Sequence, residues 1–160
     1  MAKKLVAYFS ASGSTARLAQ TLAVAADAAL YEIRPAVPYK RRDLNWMDKK
    51  ARSTVEMADP NCRVAMADTS APVAETDVIF LGFPIWWGRE PSIVDTFLES
   101  YDFAGKAIVP FCTSGGNGIG FVGDRIKALL DGKATVVNGQ RMGGETSAED
   151  LKIWADGLDL

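Results

Sequence analysis

The sequence predicts an α/β protein built on a doubly wound, five-stranded parallel sheet with helices on both faces, and three observations carry that expectation. Five short apolar, β-branched or aromatic runs recur along the chain: LVAYF (5–9), LYEI (30–33), VIFL (78–81), AIVPF (107–111) and TVV (135–137). Segments whose apolar residues follow a helical spacing separate them. The first, third and fourth runs are apolar throughout, as strands covered on both faces are. The order is therefore βα repeated five times, and right-handed crossovers then distribute the helices over both sides of the sheet.

Each element has its own justification. Leu18, Leu22 and Ala26 make the stripe of the first helix. The connection 34–76 is too long for a plain loop, so one helix is expected around Leu44 to Met57, followed by an irregular path marked by Pro60, AMADTSAP and Pro72. Pro91 stands at a first-turn position ahead of Ile93, Val94, Phe97 and Leu98. Val122, Ile126, Leu129 and Leu130 form the next stripe, ending at Gly132, and Leu151, Trp154, Ala155 and Leu158 form the last, with Ser147 and Asp150 in capping-box spacing.

Composition narrows the chemistry. With 160 residues and 48% apolar content, the chain is expected to form a single domain over 1–160, of a size that buries roughly 68–70% of its unfolded surface. MAKKLVAYF is too short an apolar run for a signal peptide, and no stretch reaches the roughly 20 apolar residues of a membrane span. A soluble, cytoplasmic protein with no membrane partner is expected, and no nucleic-acid partner. Cys62 and Cys112 lie far apart and form no CxxC, which suggests neither a disulfide framework nor a metal site. The chain has no histidine, which removes the usual general base and any Ser-His-Asp or Cys-His mechanism. Chemistry here points to a bound cofactor as the reactive group. Residues 1–52 hold ten Lys/Arg against four Asp/Glu, and the remainder eight against sixteen. The cationic run Lys40, Arg41, Arg42, Lys49, Lys50 and Arg52 is either a solvated face or a docking patch for an acidic partner or a cofactor phosphate.

In a parallel sheet the loops after the strands emerge at one edge, where ligands bind at the reversal of strand order. Three unusual loops fall there: SASGST (10–15), GFPIWWGREP (82–91) and CTSGGNG (112–118). A helix N-terminus offers unpaired N–H groups and about half a positive charge, so flanking hydroxyls from Ser10, Ser12, Ser14 and Thr15 could help hold one phosphate without Lys, Arg or metal. An ordinary capped turn would use the same residues. No Lys occurs between residues 5 and 39, which excludes a Walker-type loop. Trp86 and Trp87, between Gly82 and Gly88, either stack on a flat heterocycle or bury against a helix or an oligomer partner. TSGGNG offers small side chains and backbone donors to a polar ring edge or a phosphate. The GxGxxG spelled by Gly118, Gly120 and Gly123 lies too far past its strand for a dinucleotide fingerprint, and Cys112 lacks the arginine of a C-x5-R phosphatase loop.

Taken together, the loops resemble those of the flavodoxin-like family of FMN proteins, in the form that carries DLNW (43–46), PIWWG (84–88) and PFCTSGG (110–116) segments. The resemblance covers essentially the whole chain and implies strand order 2-1-3-4-5 and FMN as cofactor. It implies that Ser10, Ser12, Gly13, Ser14, Thr15 and the amide of Ala16 surround the phosphate. It places Pro84, Ile85, Trp86, Trp87 and Gly88 along one side of the ring, and Thr113, Ser114, Gly115, Gly116 and Gly118 along another. The S-x-S-G-S-T loop departs from the T-G-N-T core of many flavodoxins, and the near-neutral charge departs from strongly acidic carriers.

No catalytic side chain is expected beyond the FMN itself. Two partner classes follow: a redox partner protein served by an electron carrier, or NAD(P)H plus a small quinone, nitro or azo acceptor served by a reductase. A non-catalytic flavin-binding domain is a third reading, and the chain could act as a monomer or a homodimer.

Overall fold

In the computed structural model, which describes residues 2–113, 119–137, 139–158 and 160, the sheet has the expected order. Strands β1 (Lys4–Tyr8), β2 (Ala29–Glu32), β3 (Val78–Pro84), β4 (Ala107–Thr113) and β5 (Thr135–Val136) run parallel in the order β2-β1-β3-β4-β5. The register pairs Tyr8 with Glu32 and with Gly82, and Pro84 with Thr113, so the three loops leave one edge together.

Alternate residues of the continuous apolar runs feed two cores. Leu5, Ala7, Phe9, Ile79, Leu81, Phe83 and Ile108 pack on one face with α3 (Ser92–Ser100) and α4 (Val122–Leu129). Val6, Tyr8, Val78, Phe80, Val109 and Phe111 pack on the other with α1 (Ser14–Ala25) and α5 (Ala148–Gly157). Period-two alternation makes both faces apolar, which is why these runs lack polar residues. The helix ends follow local chemistry: Ser147 Oγ accepts the Asp150 N–H at 3.1 Å, and the Gly132 N–H returns to the Lys127 carbonyl at 3.1 Å. Gly82 is required by packing, since a Cβ there would lie 2.2 Å from the Phe111 ring.

Three expectations are corrected. Residues 44–57 do not form one helix; a short 3-10 turn, Arg41–Leu44, precedes α2 (Arg52–Ala58), with turns between. The side chains of Asn45 and Asp48 accept the N–H groups two residues on, from Met47 at 3.2 Å and Lys50 at 2.9 Å. These local bonds compete with helix formation. The last run splits: after β5 a further strand, β6 (Gln140–Arg141), pairs with β4. Ile108 faces Val136 whereas Phe111 faces Gln140, one extra residue on the outer strand. Pro110 of β4 has no N–H for the ladder, and Gly139 passes so close that a Cβ would sit 2.5 Å from the Pro110 carbonyl. Finally, Arg52 is not a solvated charge; it pairs with Glu56 at 2.9 Å and lies 3.9 Å over the Tyr39 ring. No helix of the described residues is long and apolar enough to cross a membrane.

Candidate functional site

The loop after β1 is shaped as an anion cradle. Gly13 occupies the N-cap position of α1 at φ +102°, a conformation open to glycine, and no side chain caps the helix. Among the described residues no acceptor meets the backbone N–H groups of Ser14, Thr15 or Ala16. Ser10 Oγ accepts the Gly13 N–H at 3.1 Å and so closes the loop. Ser12 and Ser14 stand exposed at its rim, while Thr15 turns inward. Free amides at a helix start, with hydroxyls around them and no carboxylate in the loop, suit one phosphate.

Thr15 ties this cradle to the next loop. Its hydroxyl is buried and meets the hydroxyl of Thr113, at the end of β4, at 2.7 Å. The Thr113 carbonyl in turn accepts the Ile85 N–H at 3.1 Å. The loops after β1, β3 and β4 therefore converge on Thr113. Ser114, Gly115, Gly116 and Gly118 of the third loop lie outside the described residues.

The tryptophan loop is a tight hairpin. Trp86 and Arg89 exchange both backbone hydrogen bonds, at 3.0 and 3.1 Å. Trp87 (φ +49°) and Gly88 (φ +79°) fill the two central positions. Two positive φ values are the signature of a type I′ turn, whose first position favours Asn, Asp or Gly; an indole there is strained. Trp86 packs inward, edge to face against Phe9 (5.6 Å between centroids, 88°) and Tyr39 (5.5 Å, 78°). Trp87 remains 49% exposed. The two indoles thus take different roles, one locked into a wall and one projecting.

A pocket of about 280 Å³ opens beside them, lined by Leu44, Trp46, Ser53, Ile85, Trp86 and Trp87. It brings together Ile85, Trp86 and Trp87 of the expected ring side with the DLNW segment. It also adds Ser53, which nothing in the sequence singles out, because Ser53 reaches the site only through the fold of the 34–76 connection. Arg89 and Tyr39 are further supports missed from sequence: Arg89 Nη2 donates to the Met57 carbonyl at 3.1 Å, and Tyr39 donates to Glu56. A second hollow of about 380 Å³ lies on the β2 side of Ser10, walled in part by Phe9, Arg34 and Tyr39. Pro84, at the end of β3, does not line either.

Titratable groups at the site lend it no nucleophile. Burial pushes the Cys112 thiol up to about 11, and burial with the Glu56 hydrogen bond raises the Tyr39 hydroxyl. Behind the hairpin, Glu90 and Asp95 are both buried. Arg125 Nε donates to both carboxylate oxygens of Glu90, at 2.9 and 3.1 Å, and Arg63 and Arg89 each approach Asp95 at 3.8 Å. Desolvation and then the Glu90 charge push the Asp95 carboxyl up to about 7, outweighing the opposing charges of Arg63 and Arg125.

The sequence profile of the flavodoxin family matches residues 3–158. The chain belongs to the flavodoxin family. Among solved structures, a candidate flavoprotein of Bacteroides eggerthii superposes with a TM-score of 0.93 at 40% identity, covering 100% of this chain and 99% of that one. A second, from Bacteroides uniformis, gives 0.91 at 43% identity over 97% and 98%. A Lactobacillus acidophilus flavoprotein solved in complex with FMN shares the fold at 0.67 and 19% identity, over 97% of this chain and 99% of that one. No curated protein matches the chain.

Proposed function

We propose that this flavodoxin binds FMN and transfers electrons through it to a partner protein. FMN is the cofactor. One observation carries the assignment: an uncapped helix start whose first three amides have no acceptor among the described residues, joined through the Thr15–Thr113 hydroxyl pair to an indole-lined pocket. A single phosphate group and a planar ring on one ligand fit those two ends. Ser12, Gly13, Ser14 and the amides of 14–16 would hold the phosphate. Ile85, Trp86, Trp87 and Gly88, with Thr113 and the glycines that follow it, would flank the ring. FMN when bound supplies the redox chemistry, and the chain's residues bind it, orient it and shield it from water.

The carrier reading is supported by the surface beside the pocket. Lys40, Arg41, Arg42, Lys49 and Lys50 are exposed, and among the described residues none forms an ion pair. Such a face steers an acidic partner protein. The runner-up, an FMN-dependent NAD(P)H reductase, is favoured by the exposed indoles of Trp46 (70%) and Trp87 (49%), which could receive a second planar ring. The test has two stages. Flavin released from purified protein should have the mass of FMN; FAD as the native ligand refutes the cradle assignment. Potentiometric reduction should then resolve two one-electron steps, with NADPH alone bleaching the flavin slowly. Rapid bleaching by NADPH without a partner protein reverses the ranking.

A further inference from the structure

The strongest unassigned feature is a hydroxyl with nothing to bind. Ser53 is 2% exposed, and among the described residues its Oγ has no hydrogen-bond partner. Other buried polar side chains show how such groups are normally satisfied: Thr15 and Thr113 bond each other, Thr76 bonds the Pro72 carbonyl at 2.6 Å, and Glu90 takes Arg125. Leaving a buried hydroxyl unpaired costs about 1–3 kcal/mol, and native structures rarely tolerate it without a reason. Thr54 Oγ1 is also unpaired but lines no part of the pocket. Ser53 does, opposite walls made of Leu44, Ile85 and three indoles. A pocket with aromatic walls and one orphaned hydroxyl has the chemistry of a seat for a flat conjugated ring whose edge carries a carbonyl or N–H.

We propose that Ser53 is the hydrogen-bonding contact for the edge of a conjugated, carbonyl-bearing ring seated among Trp46, Trp86 and Trp87. Helix α2 would thereby become a fourth element of the site beyond the three sheet-edge loops. The inference rests on the FMN assignment above and extends it. Two rings share the required chemistry: that of the flavin, and that of a small carbonyl-bearing electron acceptor docking against it. Ser53 Oγ donates to the ring carbonyl in either case.

The experiment compares wild type with Ser53→Ala, and with Ser53→Cys as the near-isosteric check should the alanine variant fold poorly. Apoprotein is titrated with FMN and with riboflavin, and FMN-loaded protein with menadione; melting temperature of the apoprotein is read alongside. If the flavin ring is the guest, Ser53→Ala weakens FMN and riboflavin alike by about five- to tenfold, as loss of one hydrogen bond predicts. If the acceptor is the guest, flavin affinities hold and menadione weakens by a similar factor. In both cases the apoprotein melts no lower than wild type, since the variant removes an unsatisfied group, and Ser53→Cys falls between. Unchanged affinity for all three probes, or a lowered apoprotein melting temperature as the sole effect, overturns the proposal. Failure of wild type to bind either flavin would instead sink the FMN assignment itself.

Discussion

Replacing Asp95 by Asn should make the protein more stable, and increasingly so as pH rises. Asp95 lies in the buried face of α3 at 3% exposure, facing Glu90 at 1%. Arg125 donates to Glu90 at 2.9 Å, and the Asp95 carboxyl is pushed from 3.8 up to about 7 by burial first and the Glu90 charge second. The unfolded chain therefore releases this proton about three pH units earlier than the folded protein does. Between those two values the folded state binds more protons, so Asp95 lowers stability as pH rises through that window, and the penalty levels off above it. At about 1.4 kcal/mol per unit, the part of the penalty that develops between pH 5 and pH 8 is about 2–3 kcal/mol. Asparagine keeps an N–H donor toward Glu90 and cannot ionise. Urea unfolding of wild type and Asp95→Asn at pH 5, 6, 7 and 8 should show the variant's advantage growing by that amount, with equal m-values. Parallel stability curves across the range would show that Asp95 is ionised throughout and that Arg63 and Arg89 govern it.

The remaining predictions concern the site. Trp87→Asn places a residue suited to a type I′ turn at φ +49° and should raise apoprotein stability by about 1 kcal/mol while loosening FMN, measured by thermal melts and flavin titration; a less stable apoprotein would mean the indole is not strained. Ser12→Ala should weaken FMN by about 1.5–3 kcal/mol, as loss of a charge-assisted donor does, and leave riboflavin untouched; equal weakening of both would place the phosphate elsewhere.

How far the fold could be read ahead of the structure depended on where the physics was local. Runs 5–9, 78–81 and 107–111 announced their strands because both sheet faces are buried, so every residue reports the same environment. The edge strand β2, exposed on most of its residues, shifted by one. Strand β6, Gln140–Arg141, carries no apolar signal and exists only as a ladder partner for β4. A helix over 44–57 is expected only from the length of the connection, and the Asn45 and Asp48 side chains divert the backbone. Near the pocket, the uncapped helix start at Gly13 and the tight WWG hairpin follow from short consecutive runs of residues. Ser53 was not legible in that way, since a serine in a polar connection acquires meaning only when a distant pair of indoles folds over it. Glu90 and Asp95 were hidden for the opposite reason: carboxylates read as surface until three arginines are seen around them.

The strained hairpin and the buried acid cluster form one mechanical unit. A bulky residue at positive φ persists only where its surroundings over-determine it, and both ends of this turn are fixed. The entering strand is held at Ile85 by the Thr113 carbonyl. The leaving strand is held by Arg89, whose guanidinium donates to the Glu90 carbonyl at 3.2 Å and the Met57 carbonyl at 3.1 Å and lies 3.8 Å from Asp95. Met57 belongs to α2, the helix that also presents Ser53. Arg89 therefore clamps the Trp87–Gly88 turn against the same helix that supplies Ser53 to the pocket, so the walls on two sides of the pocket share a single anchor. The charge of that anchor is balanced beside two buried carboxylates, so a change at Asp95 acts on it at close range. The geometry of the indole pocket is in this way tied to the ionisation of a carboxyl group that never lines it.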